Sequence, residues 1–576
     1  MVEPRQFTLY PDDEGADRLE VRSQRRFVGP YCIPNSMADE PCEDLGVEYL
    51  LDQLNDIMGT SVRLSHPLQS HLEFCISENY DFGMAYSLLR THWHSLSTLA
   101  ATRKAAEDKD EKLRFGALDR SGKYITNTDF PPRRIWDLCS NRVIPVWWVN
   151  KMLWPTVIPV SHSWVKEPEY TETPINQGEW RVPIPSDSSL ERVRIELLNS
   201  VDKNGRMYEQ WIDKRYAWLD VLCLRQREPD DDLRDEQLEE TRLEEWKIDV
   251  PTLGKVYRNS DVSGHMLIYF NGLGRPFRNT GFDDEHHWFK RAWTLQEFIP
   301  VSKMRLGGAT ASSPSLSNPS SRPEFQKFYE HLKEADLIDS SQGSKKIKAP
   351  LSRAINLMRK RSRSFERDRL ACVVSVTRPD VLPIYDGNQN EEDVEAAWVD
   401  YLSMMNAETR AHIFFWYPGH RSERHRSRAP SWLPLWEQLM ATDLISPAIG
   451  QLFSKIQYDK DNEQYYGDLR FVDNCRITGF NPTRFSRLPR RGVVQIAPRY
   501  RYQQPEEYVA VANHRVVIDE DAWYTLLFTS WRTHVVVGQR DPVGCVRKVC
   551  TLEVGREFVE KVESGQYGGA GVLFLI

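Results

Sequence analysis

Three short apolar runs constrain this chain more than any other feature: Thr156 to Ser161, Tyr216 to Leu224 and His265 to Phe270. None alternates apolar with polar residues, so each predicts a strand buried on both faces, the habit of parallel sheets. Helix signals lie between them. Ser186-Asp187-Ser188-Ser189-Leu190-Glu191 supplies cap residues and an early acid, and Leu190, Val193, Leu197 and Leu198 then make one apolar face. After the acidic, solvated stretch Glu228 to Glu245, Pro251 to Tyr257 predicts another short helix, and Lys303 to Leu306 a last strand. Buried strands alternating with helices predict an α/β fold built on a doubly wound parallel sheet. In such sheets ligand sites form at the carboxyl ends of the strands.

Between the third and fourth strands lies Arg291-Ala292-Trp293-Thr294-Leu295-Gln296-Glu297-Phe298. It has no glycine or proline, and its apolar spacing fits a helix. Residues three and four apart share a helix face, which puts Trp293, Gln296 and Glu297 on one side. An aromatic plane beside an amide and a carboxylate is either a buried polar anchor or a piece of a site. Asp220, near a strand's carboxyl end, is a second candidate, with a turn cap as its structural alternative. Cys223 lies inside an apolar run and reads as an inert buried thiol. Gly272-Leu273-Gly274 is too short for a phosphate cradle and reads as a turn.

The rest of the 576 residues needs more than one core, since domains run roughly 100–200 residues. Residues 1–39 are charged and turn-rich and read as a surface arm, and residues 40–129 as a helical region. There Tyr49, Leu50, Gln53, Leu54 and Met58 suit one amphipathic helix, and a second is expected from Tyr80 past Trp93 to Ala106. His92 and His94 flank Trp93 and read as core or surface histidines, without a ligand set beside them. Residues 308–429 read as a linker and helical region, with a Ser/Pro-rich loop from Ala309 to Ser321 and helices over Glu324–Asp339 and Leu351–Arg361. The basic stretches Met358 to Arg369 and Arg421 to Arg428 read as solvated surface, with a nuclear address or an anion site as the alternative for the first. Residues 430–576 carry short, closely spaced strand patterns and predict an antiparallel β-rich region. A net charge of −8 gives no basic field for nucleic acid. No apolar run approaches the roughly 20 residues of a membrane span. Met1 to Arg26 lacks a secretory core, and nine scattered cysteines without a Cys-x-x-Cys pair fit reduced thiols, so a cytoplasmic protein without a metal is expected.

Four stretches, in order, resemble the fungal HET (heterokaryon incompatibility) domain over about 130–307. Val160-Ser161-His162-Ser163-Trp164 is similar to the family's opening LSYxWG, with Val165 at the usual glycine. Trp218 to Gln226 is similar to WIDxLCIxQ, Val256-Tyr257-Arg258-Asn259-Ser260 to IYrnA, and Arg291 to Glu297 to RxWTxQE. Weaker echoes are Arg367-Asp368-Arg369 and Pro430-Ser431-Trp432. The resemblance implies programmed cell death in fungal non-self recognition, a protein partner or self-association, and a flavodoxin-like sheet of the TIR type.

Some TIR domains cleave NAD with one glutamate in a motif like Trp-Cys-x-x-Glu-Leu. Trp293 and Glu297 hold the same spacing, with Thr294 at the cysteine. The resemblance therefore implies Glu297 as the catalytic group, with Ser161, Trp164, Asp220, Gln226, Arg291 and Trp293 as binding residues and NAD or a related nucleotide as substrate. Nicotinamide leaves neutral from a cationic state, so one carboxylate that stabilises positive charge at the ribose suffices. The rival mechanism is an interaction module that signals by assembly without catalysis.

Overall fold

The computed structural model describes residues 3–11, 16–93, 99–149, 157–200, 215–258, 265–297, 301–316, 322–336, 351–363, 366–377, 381–385, 391–416, 430, 432–441, 454–480, 488–497, 504–514, 516, 518–529 and 532–576. Outside them lie His94, Thr156, Asn259, Ser260, Phe298, Ser431, the basic stretch Arg421 to Arg428 and the end of the Ser/Pro-rich loop. The chain divides into two compact units, residues 1–349 with 360–388, and residues 350–359 with 389–576.

The first unit opens with an antiparallel pair, β1 (Gln6–Leu9) and β2 (Phe27–Pro30). Residues 1–39, expected as a surface arm, thus belong to the core: Phe7, Leu9, Phe27 and Ile33 are buried with residues of the later sheet. The strand Gln6–Leu9 alternates exposed and buried positions, so its polar residues mask an apolar inner row. Four helices follow: α1 (Cys42–Met58), α2 (His66–Ser77), α3 (Phe82–Arg90) and α4 (Leu99–Phe115). α3 and α4 stand where one helix was expected from Tyr80 to Ala106. The Asp81 side chain caps α3 by accepting from the Met84 amide at 2.8 Å. His92 is a core histidine beside the Trp148 carbonyl.

The sheet follows, with β3 (Arg134–Asp137), β4 (Arg142–Pro145), β5 (Val157–His162), α5 (Leu190–Ser200), β6 (Tyr216–Leu219), α6 (Glu236–Arg258), β7 (Met266–Tyr269) and β8 (Met304–Leu306). Its spatial order is β8-β7-β5-β6-β3-β4. β8, β7, β5 and β6 run parallel, while β3 is antiparallel to both neighbours. The sheet is therefore mixed rather than wholly parallel. A short turn joins β3 to β4, and so short a link connects only antiparallel neighbours.

Register fixes which helix covers which face. Pro159 lies beside Trp218 and Ser161 beside Ile268, so Trp218 and Tyr269 point to opposite sides. The Tyr269 hydroxyl donates to Glu196 of α5 at 2.8 Å, and Trp218 meets Tyr257 of α6 edge-on at 5.5 Å. α5 and α6 therefore pack on opposite faces.

Two further expectations are corrected. The second apolar run is a strand only to Leu219, and Asp220–Cys223 form a helical turn. The Asp220 carboxylate accepts from the Val221 amide and its carbonyl from the Leu224 amide, which turns the chain at the sheet's edge. Pro251 to Tyr257 is not a separate helix but the end of α6, which carries Pro251 inside it. After β8, α7 (Gln326–Asp336) adds Phe328 to rings of Phe270, Phe277, Phe282 and Phe289, and α8 (Glu366–Thr377) packs near α6.

The second unit is built on β9 (Ile456–Asp459), β10 (Gln464–Thr478), β11 (Arg490–Ile496), β12 (Glu506–Ala512), β13 (Tyr524–Phe528), β14 (His534–Arg540), β15 (Val546–Val554), α9 (Arg556–Glu563) and β16 (Gly569–Leu575). As expected, it is antiparallel and β-rich. β10 pairs with both β11 and β13, so the order β10-β11-β12-β15-β14-β13 closes on itself. Closure removes exposed strand edges. Phe558, Val559 and Val562 of α9 join its core. No described helix in either unit is long and apolar enough to cross a membrane.

One ion pair anchors α3 to the sheet. Arg90 meets Asp137 of β3 at 2.8 Å with both side chains fully buried, and Ser87 and the Cys139 amide donate to the same carboxylate. Removing one partner leaves an uncompensated buried charge. Asp137→Ala is expected to cost about 3–5 kcal/mol of unfolding free energy by denaturant titration. A loss below about 1 kcal/mol, the surface-pair range, would refute the anchoring role.

Candidate functional site

β5 delivers Ser161 and His162 to the carboxyl end of the sheet, where a cleft of about 500 Å³ opens. That volume suits a small-molecule ligand. Ser163 fixes the strand ends: its amide donates to the Tyr269 carbonyl at 3.0 Å, and its hydroxyl to the Phe270 carbonyl at 3.0 Å.

Ser161 is fully buried behind the cleft wall. Its hydroxyl accepts from Trp288 Nε1 at 2.7 Å and lies 2.5 Å from Glu297 Oε2. The indole N–H can only donate, so the hydroxyl proton points at Glu297. This is the one hydrogen bond of the Glu297 carboxylate among the described residues. Burial, and then the negative charge of Asp220, push the Glu297 carboxyl up to about 7, against the pull of Ser161, His162 and Arg291. Glu297 is thus poised to hold or release a proton near neutrality.

His162 Nε2 lies 2.8 Å from Asp220 Oδ1, and Nδ1 lies 3.1 Å from the Ser163 carbonyl. Both partners accept, so the two contacts favour the doubly protonated ring. Burial opposes that charge, but Asp220 and Glu297 outweigh it and raise the histidine's pKa. Asp220, despite burial, is held below the usual carboxylate range by His162, the Val221 amide and Arg291.

Trp164 stacks on His162 at 6.2 Å and 15°, and the Arg291 guanidinium lies 5.2 Å from the Trp164 ring. Among the described residues that guanidinium has no hydrogen-bond or ion-pair partner. Burial lowers its pKa, and Glu297 and Asp220 draw it back up. An unpartnered guanidinium in a cleft is a ready receptor for an anionic group.

The Arg291 to Glu297 stretch is not the expected helix. Only Trp293–Leu295 forms a 3₁₀ turn. Its hydrogen bonds go elsewhere: the Ala292 amide donates to the Ser362 carbonyl, and the Thr294 hydroxyl to the Trp288 carbonyl. Arg361 completes the clamp, donating to the Arg291 carbonyl at 2.7 Å and to Thr294 Oγ1 at 2.6 Å. This residue of the basic stretch is buried, not solvated. The tighter turn keeps Trp293 and Glu297 in the cleft and turns Gln296 away from it. Gln296 is buried, and among the described residues neither amide atom has a partner.

An aromatic wall stands across from the carboxylates. Trp293 meets Tyr385 edge-on at 5.8 Å, Tyr385 lies 6.1 Å from Trp246, and the Tyr385 hydroxyl donates to Asp368 at 2.8 Å. Of the residues singled out in the sequence, Trp164, Asp220, Gln226, Arg291, Trp293 and Glu297 line the cleft, and Ser161 lies behind Glu297. Gln226 is tied down, donating to the Asp220 and Leu224 carbonyls, and braces the turn rather than offering its amide. Cys223 is buried and its thiol pushed up to about 12, which agrees with an inert role. Sequence reasoning missed His162, Tyr257, Trp246, Asp368 and Tyr385. A histidine ending an apolar strand was the available signal for the first, and the Val256-Tyr257-Arg258 motif for the second.

The raised acid of Glu297 carries a stability signature. A carboxyl whose folded pKa of about 7 exceeds its ordinary 4.5 binds its proton more tightly when folded. Its contribution is most favourable below the ordinary value and is lost as pH rises through the folded one. Glu297→Gln lacks this slope. Its stability relative to wild type is expected to rise by about 3 kcal/mol between pH values near 4.5 and 8, read by denaturant titration. A difference that stays flat with pH would refute the raised acid. Compared with known proteins, the chain matches no family model, no curated protein and no solved structure, so the cleft is read from its own geometry.

Proposed function

We propose that this chain is a cytoplasmic HET-type protein of fungal non-self recognition, distantly TIR-like, whose cleft cleaves the glycosidic bond of NAD or a related nucleotide through Glu297. The observation that carries the reading is a carboxylate raised toward neutrality, hydrogen-bonded by Ser161, in a cleft with the cation Arg291. The four motifs give independent support. Each contributes to one site: Ser161 and Trp164 from the first, Asp220 from the second, Tyr257 from the third, Arg291 and Glu297 from the fourth.

The topology supports the same reading. Numbered along the chain, the four parallel strands lie in the order 2-1-3-4. That is the flavodoxin-like order, and its switch point, between β5 and β7, is where such folds bind ligands. Helices on both faces fit a doubly wound sheet.

In this mechanism Ser161 holds Oε2 and leaves Oε1 for the ribose. The ionised carboxylate stabilises positive charge as the bond to nicotinamide breaks and nicotinamide leaves neutral; water then adds to the ribose carbon and gives its proton to Glu297. Arg291 receives the diphosphate, and Trp293 takes a flat ring. The doubly protonated ring of His162 favours an ionised Asp220, which in turn keeps the Glu297 acid high. In the cell, the activity would be switched by a protein partner or by self-association, as the resemblance implies.

Incubating the full chain with NAD is expected to release nicotinamide, and Glu297→Gln to lower turnover by about a hundred- to a thousandfold, comparable to deleting an oxyanion-hole donor. Arg291→Ala is expected to raise KM by about tenfold or more, the worth of a charge-assisted hydrogen bond, with a smaller effect on kcat. A wild-type chain inert toward NAD and related nucleotides would overturn the catalytic reading. A stable Glu297→Gln variant that still kills cells would leave assembly without catalysis as the mechanism.

A further inference from the structure

Away from the cleft, the two cysteines Cys32 and Cys139 meet in the core of the first unit. They are 107 positions apart in sequence, both are fully buried, and their sulfurs are 3.6 Å apart. Their backbones are already fastened side by side. The Ile33 amide donates to the Cys139 carbonyl at 2.9 Å, and Arg194 Nη2 donates to the carbonyls of Ile33 and Cys139 at 2.7 and 3.2 Å. Pairing the sulfurs covalently therefore needs side-chain movement of about an ångström and a half, not a backbone rearrangement, given an S–S bond of about 2.0 Å.

A second cation distinguishes the pair from an ordinary buried thiol. Arg215 Nη1 donates to Cys32 Sγ at 2.8 Å and to the Pro30 carbonyl at 2.9 Å. Arg215 is only half-buried and connects the sulfurs to the surface. Burial alone would raise the Cys32 thiol, but the hydrogen bond with Cys139 and the charges of Arg215 and Arg194 bring it below the ordinary value. Cys139 is raised by burial and then by its hydrogen bond with Cys32 and the Cys32 charge, against the pull of Arg90 and Arg215. Cys32, with Arg215 against its sulfur, thus gives up its proton more readily than Cys139, the arrangement of a nucleophile with its resolving thiol.

We propose that Cys32 and Cys139 form a peroxide-responsive dithiol, which closes to a disulfide that fastens the Tyr31-Cys32-Ile33 segment to the β3–β4 turn. The Cys32 thiolate attacks one oxygen of hydrogen peroxide. The O–O bond breaks, an S–O bond forms, and the departing hydroxide takes a proton to become water. The Cys139 sulfur then attacks the sulfenic sulfur, giving up its proton. The S–S bond forms, the S–O bond breaks, and a second water leaves. Two electrons pass from the two thiols to the peroxide.

The test treats the folded full-length chain with hydrogen peroxide, then denatures it, alkylates free thiols and maps the peptides by mass spectrometry. The expected product is one Cys32–Cys139 linkage, two hydrogens lighter and reversed by dithiothreitol, with a higher thermal midpoint. Cys545, the only cysteine not fully buried, is the internal control for peroxide attack. Cys139→Ser is expected to stop at a Cys32 sulfenic acid trapped by dimedone, and Arg215→Gln to slow closure by about tenfold as the thiolate fraction falls. Oxidation of Cys545 with both Cys32 and Cys139 recovered as alkylated thiols would overturn the proposal. So would pairing of either with another cysteine, or a closure rate unchanged in Arg215→Gln.

Discussion

The hydroxyl of Ser161 is the contact on which the candidate site depends. It sits at the end of a strand buried in the middle of the sheet, so its position is fixed by the whole parallel core. Trp288 donates its indole hydrogen to it, and that leaves its own proton for Glu297. The end of the Arg291 to Glu297 stretch is thereby tied to a central strand of the sheet. Arg361 repeats the logic from the other side, holding the Arg291 carbonyl and the Thr294 hydroxyl. A carboxylate held at two ends of a short turn can stay buried without collapsing onto the nearest cation.

Charge in the cleft is arranged so that its groups do different work. Asp220 and His162 pair at 2.8 Å, and each favours the charged form of the other. Glu297 feels the residual field of Asp220 together with burial, and its acid rises. The two carboxylates of the cleft thus end with opposite shifts, the pattern of sites that separate an electrostatic group from a proton-transferring one. Arg291 lies over Trp164, lines the cleft, and has no hydrogen-bond or ion-pair partner for its guanidinium among the described residues.

Much of this was legible in the sequence, for a physical reason. Val157 to Val160 and Met266 to Tyr269 are continuous apolar runs because both faces of a central parallel strand are covered, and that pattern needs no tertiary information. The polar residues that interrupt such runs at their ends, Ser161 and Asp220, were visible for the same reason. What was not legible is what depends on distant segments. The stretch Arg291 to Glu297 has helical spacing, yet its backbone groups bond to Ser362 and its side chains to Arg361, and long-range partners override local propensity. The aromatic wall joins Trp246, Trp293 and Tyr385, three residues with no common local pattern. Residues 1–39 look solvated because every second residue of Gln6–Leu9 is exposed, while the alternate ones fill the core. The antiparallel tail was readable as strands, but the closure of β10 onto β13 is a matter of register that no single strand declares.

The central claim is that Glu297 is a raised acid beside an ionised Asp220. Isotope-edited infrared spectroscopy of the full chain carrying carbon-13 carboxyl glutamate, with Glu297→Gln subtracted, reads that one group directly. The account predicts a protonation midpoint near 7, and in Asp220→Asn a lower midpoint, because the neighbouring negative charge is gone. A midpoint at the ordinary glutamate value of 4.5 in the wild-type chain would contradict it.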